Sequence, residues 1–161
     1  MKKEKGFSSI ELLIVVAIIL IIAAIAIPNL LRSRMAANEA SAVGSLRTIN
    51  TAEVTYSTTY PSIGYAALAS LGGTASSCAT ASGATSTTAC LIDNVLASTA
   101  VKSGYNFTAA PSGSSPPYSY ASKAVPSVVG QSGQRAFCSD QSGVIRYNAG
   151  GTTCSNTDNP L

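Results

Sequence analysis

Residues 12–27 are sixteen consecutive apolar side chains, rich in Ile, Leu and Val, with nothing more polar than Ala among them. Counted from Phe7, the stretch makes about 31 Å of helix, the hydrocarbon thickness of a bilayer. In lipid every backbone N–H and C=O must bond within the segment, so the block is helical there despite its β-branched residues. Lys2, Lys3 and Lys5 precede it with Glu4 as their only acid, which puts the N-terminus in the cytoplasm and the rest of the chain outside. Arg32 and Arg34, just beyond the block, oppose that bias.

Glu11 breaks the pattern of a plain anchor. An ionised carboxylate costs about 2.5 to 3.5 kcal/mol at the centre of a bilayer and less near its edge. A simple membrane tether has no use for it, whereas a positive group on a neighbouring copy would neutralise it, and a newly exposed α-amino group would serve. Two other readings compete. Ala24-Ile25-Ala26 has the small-x-small form of a signal peptidase site, and an uncleaved single span needs no further motif. Glu11 weighs against both, as does a helical pattern that runs on past residue 27.

The order Lys5-Gly6-Phe7-Ser8-Ser9-Ile10-Glu11, the apolar run behind it and Pro28 closing that run resemble the N-terminal signal of type IV pilins and pseudopilins. The resemblance covers about the first thirty residues. It implies that a prepilin peptidase cuts between Gly6 and Phe7 on the cytoplasmic face and methylates the new Phe7 amine. It also implies that Glu11 pairs with that amine on an adjoining subunit as chains polymerise. Ser9 departs from the large apolar residue usual there and leaves the cleavage residues intact. The physics suits these roles. Gly6 offers a protease an unobstructed carbonyl, and Phe7 brings a large apolar face to the new terminus. In a dry filament core an unpaired carboxylate is heavily penalised, which sets the register between subunits. Pro28 removes one helix hydrogen bond and is expected to loosen the turn before it.

Beyond Pro28 the apolar pattern becomes one-sided. Leu31, Met35, Ala42, Leu46 and Ile49 fall on one helix face, with Arg32, Glu39, Arg47 and Asn50 on others. Arg32, Arg34, Glu39, Arg47 and Glu53 read mainly as a solvated face, where ion pairs contribute about 0 to 1 kcal/mol each. One helix is expected from about Ser8 to Tyr56. After Tyr60-Pro61 the signals shorten: a brief helix over residues 65–71, then a Ser/Thr/Ala/Gly stretch over 74–89. Strands are expected over residues 104–109, 118–124, 135–139 and 144–148, the last two joined as a hairpin around Asp140-Gln141-Ser142-Gly143. Tyr105, Phe107, Tyr118, Tyr120, Phe137 and Tyr147 read as strand and core packing. The sum is an α+β chain, a long N-terminal helix on a head of three or four antiparallel strands. The expected divisions are a cleaved leader at 1–6, a membrane or filament-core helix at 7–28, an amphipathic helix at 29–56 and a β-rich head at 57–161.

Charged residues make up only 11% of the chain, and loss of residues 1–6 would take three lysines and one glutamate and leave a formal +1. That is no footprint for sequence-specific nucleic acid. There is no His and no Trp, and no nucleophile elbow or phosphate loop, so no catalytic residue and no cofactor is expected. Cys78, Cys90, Cys138 and Cys154 lack Cys-x-x-Cys spacing and a His partner, which fits disulfides in an oxidising compartment better than zinc. Four cysteines admit three pairings. The local one, Cys78 with Cys90 and Cys138 with Cys154, is favoured because each bridge closes a Gly/Ser/Thr-rich loop. Calcium would find only Asp140 and Asp158 near the C-terminus, a thin supply for six to eight oxygens. The Ser/Thr-rich stretches read as surface loops before they read as carriers of O-linked glycans.

The resemblance implies a structural subunit of a type IV pilus serving adhesion, motility or DNA uptake. The alternative it leaves is the major pseudopilin of a type II secretion system. Its implied partners are further copies of itself, prepilin peptidase, an inner-membrane assembly platform with its ATPase, and membrane lipid before assembly. Its implied location is the inner membrane first, then a surface pilus or a periplasmic pseudopilus.

Overall fold

A computed structural model describes residues 7–79 and 83–161, and the chain divides into two compact units, Met1–Arg34 and Met35–Leu161. Both contain part of one helix, α1, Ser9–Thr59. In the first unit its surface is apolar all round from Leu12 to Ile27, and none of its most hydrophobic 18-residue window is buried. Pro28 lies inside the helix, which continues through it. In the second unit α1 becomes one-sided, burying Ala42, Val43, Leu46, Ile49, Ala52 and Tyr56.

Its last turns are rich in Thr, a poor helix former whose hydroxyl here returns to the carbonyl one turn back: Thr51 to Arg47, Thr55 to Thr51 and Thr59 to Thr55, at 2.8 to 3.1 Å. Those turns carry the helix past Tyr56, the expected end, to Thr59. Pro61 then disfavours helical backbone at Tyr60.

Among the described residues three short helices follow: α2 (Leu68–Leu71), α3 (Ala75–Cys78) and α4 (Asn94–Ser98). The brief helix expected from residue 65 thus shrinks to α2. Thr74 and Asp93 cap α3 and α4 by accepting the backbone N–H groups of Ser77 and Leu96.

The sheet is a six-stranded antiparallel meander in chain order: β1 (Val101–Lys102), β2 (Tyr105–Ser112), β3 (Ser119–Pro126), β4 (Ala136–Asp140), β5 (Arg146–Asn148) and β6 (Asn159–Pro160). Two strands more than expected are present because β1 and β6 are two residues each, too short to carry an alternation. β2 turns Tyr105, Phe107 and Ala109 inward, and β3 turns Tyr120, Ser122 and Ala124 inward. Pro111 is tolerated inside β2 because β1 pairs only with Tyr105 and Asn106, so no neighbouring strand calls for an N–H at Pro111 on that side.

β4 does not alternate, since Ala136, Phe137, Cys138 and Ser139 are all buried. Phe137 joins the main core against α1, while Ala136 and Cys138 meet Cys154 in a second, smaller cluster. Disulfides join Cys78 to Cys90 and Cys138 to Cys154. The first ties α3 to the strand-like return at residues 89–92, which bonds back to Ser70 and Leu71. The second fastens the segment after β5 to β4.

Candidate assembly helix

Each residue singled out at the N-terminus has a definite setting. Gly6 lies outside the described residues. Phe7 is 80% exposed, and behind it Ile10, Leu12, Leu13, Ile14 and their successors to Ile27 remain open. The most apolar 18-residue window of α1 has a mean hydropathy of 3.3. So large an unburied apolar surface requires lipid or other protein around it.

Glu11 occupies the third position of α1, where helix N–H groups have no intrahelical acceptor. Its Oε2 accepts the Ser8 N–H at 2.9 Å, and the Ser8 carbonyl accepts the Glu11 and Leu12 N–H groups at 3.1 and 3.3 Å. This is one half of a capping box, placing a negative charge at the positive end of the helix dipole. The carboxylate is therefore held at the backbone of Ser8, the residue after Phe7. Pro28 belongs to the same helix but lies about 25 Å further along its axis, so the two do not form one site.

The four cysteines belong to the other unit and act as staples there. Cys138, Cys154 and Asp158 lie close together, but both sulfurs are spent in a disulfide and offer no thiolate. Asp158 accepts the Ser155 N–H at 2.8 Å and the Asn148 side-chain amide at 3.2 Å, and these bonds hold its carboxyl below the usual range. Asp140 accepts the Ser142 N–H at 2.8 Å inside the hairpin turn. Both carboxylates are occupied by local turns.

Two acids are buried where the sequence predicts a solvated face, Glu39 and Glu53. Glu39 Oε1 accepts the Gln134 and Arg135 N–H groups at 2.9 and 3.1 Å, and Oε2 accepts both the Arg135 Nε–H at 2.9 Å and its terminal N–H at 2.8 Å. Arg135 lies over the Phe137 and Tyr147 rings at 5.4 and 5.5 Å. Beside this clamp Tyr105 donates to the Arg135 carbonyl at 2.8 Å, in space left by Gly133, where a Cβ would collide with the Tyr105 ring. A signal was present. Glu39, Ala42, Leu46, Ile49, Glu53 and Tyr56 alternate in gaps of three and four, so both acids lie on the stripe that faces the core.

Comparison with known proteins bears on the same N-terminal segment. The prokaryotic N-terminal methylation motif matches residues 1–27. The type IV wide pilus major component PilA4 of Thermus thermophilus is 62% identical over 39 residues, which is 24% of this chain and 30% of that protein's length. No solved structure matches. The chain thus carries a prokaryotic N-terminal methylation motif, resembles a type IV pilus major component over that segment, and spans less than a third of that relative's length.

Proposed function

We propose that this chain is the structural subunit of a type IV pilus, cleaved after Gly6, N-methylated at Phe7 and polymerised through the first half of α1. The observation that carries this reading is a fully exposed apolar helix with a single carboxylate, Glu11, one turn inside its start. Before assembly, lipid covers that helix and the basic leader keeps the N-terminus cytoplasmic. During assembly the helices of further copies replace lipid. The methylated amine of an adjoining Phe7 then supplies the positive charge that Glu11 lacks, in surroundings where an unpaired charge is costly. Prepilin peptidase and an ATPase-driven inner-membrane platform are the partners this sequence of events requires. Chemistry in the subunit itself is not part of the proposal.

The test is to purify surface filaments, sequence their main protein from its first residue, and compare Glu11→Gln. A chain beginning at N-methyl-Phe7, with filament yield reduced at least tenfold in the variant at unchanged subunit level, is the expected result. A different first residue, or full filament yield with Glu11→Gln, rejects the mechanism. Loss of exoprotein export on deletion, without long fibres, would assign the chain to a type II secretion pseudopilus instead.

A further inference from the structure

Of the two buried acids on α1, Glu39 meets a guanidinium and Glu53 meets none. Glu53 is fully shielded from solvent. Its Oε2 accepts the Ala66 N–H at 3.0 Å, while Oε1 is buried with no hydrogen-bond partner among the described residues. Nearby polar groups are committed elsewhere: Tyr56 donates to the Ser86 carbonyl at 2.6 Å, and Tyr120 donates to Asn50 at 3.1 Å. The ionisable groups facing Glu53 are Tyr56 from α1 and Tyr120 from β3. Tyr60 lies beside the first, and Tyr65 and Asp140 beside the second. All are acids, burial raises both facing tyrosines so that they stay neutral, and no Lys or Arg acts on Glu53 among the described residues.

The Ala66 N–H belongs to residues 60–67, which carry the chain from α1 into α2. Leu68 and Leu71 of α2 are in the main core, and the Ser70 and Leu71 carbonyls accept the N–H groups of Ala89, Leu91 and Ile92. The returns at Ala89, Leu91 and Ile92, next to the Cys78–Cys90 disulfide, are thus bonded to α2 directly behind that segment, while Tyr56 ties Ser86 to α1 separately.

We propose that Glu53 is a proton-operated latch, neutral while it holds residues 60–67 against α1 and releasing them when it ionises. A buried carboxylate without a counter-charge is costly, and opening the segment lets water reach it. Burial raises the carboxyl from its usual 4.5 to about 7, against the opposing pull of the Ala66 N–H. The folded value lies above the unfolded one, so the attachment is at full strength below about 4.5 and weakens as pH rises through 7. The output is a connecting segment, with the returns bonded to α2 behind it, that loosens as pH rises from about 4.5 to about 7.

Hydrogen–deuterium exchange of the full chain in detergent, corrected for intrinsic base catalysis, tests the latch between pH 5 and 8. Protection at Ala66, Ala89 and Leu91 is expected to fall on the order of tenfold or more in the wild type. It should stay flat in Glu53→Gln, which keeps an acceptor for Ala66 but cannot ionise. No fall in the wild type, or an equal fall in both proteins, overturns the proposal. Should the variant not fold, a carboxyl carbon-13 titration of Glu53 in the wild type decides: a midpoint near 7 supports the latch and one near 4.5 overturns it.

Discussion

Glu39 and Glu53 share one stripe of α1, yet their surroundings push their carboxyls in opposite directions. Burial raises Glu39, but the Gln134 and Arg135 N–H groups and the Arg135 guanidinium outweigh it and hold the carboxyl below its usual 4.5. Its folded value is lower than its unfolded one, so the stability it contributes is present above about 4.5 and is lost as pH falls through the folded value. Glu39→Ala strips the acceptor from two backbone N–H groups and from a guanidinium. We expect a loss of about 2 to 4 kcal/mol, read by urea denaturation of the detergent-held subunit near neutral pH. The variant should also show a shallower acid-side decline than the wild type, since Asp93 and Asp158 keep their share of it. A loss below about 1 kcal/mol would mean that water replaces the carboxylate at little cost.

At the scale of elements, the two disulfides are not equivalent. Each closes a short loop, with separations of 12 and 16 residues, for which chain entropy alone suggests about 3 kcal/mol. Cys138 and Cys154 are also buried against Ala136, whereas Cys78 is exposed at the end of α3. Replacing Cys138 and Cys154 together by Ser should therefore cost about 3 to 5 kcal/mol, since it puts hydroxyls into an apolar cluster as well. The same change at Cys78 and Cys90 should cost about 2 to 3 kcal/mol and act mainly on the lobe around it. Thermal melting of the two double variants checks the order, and equal losses would mean that loop closure alone matters. The strand signals were legible where strands are long: the inward Tyr105, Phe107 and Tyr120 mark β2 and β3 in the sequence as clearly as in the fold. β4 was legible as a strand but not as one covered on both faces, because its second cover comes from Cys154, which local sequence cannot place.

At the scale of the whole molecule, the two units meet different solvents. The first exposes an unbroken apolar run along α1 from Leu12 to Ile27, and the second closes its own core over the stretch of the helix from Met35 onward. A fragment starting at Met35 should therefore be soluble without detergent and keep the near-ultraviolet circular dichroism of the full chain, while the full chain partitions into micelles. A fragment that aggregates, or loses that spectrum, would show that the head depends on the preceding segment. What the sequence determined by itself is the part governed by local rules. An unbroken apolar run can only be a helix out of water, a motif of Gly6, Phe7 and Glu11 marks its start, and period-two alternation marks the longer strands. What only the tertiary structure decided is which polar groups go inside and what meets them there. Glu39 is matched by Arg135, and Glu53 is left without a counter-charge among the described residues, because residues 96 positions apart in one case, and 13 in the other, converge on α1. A single residue's charge shows that it needs a partner; folding determines whether it finds one.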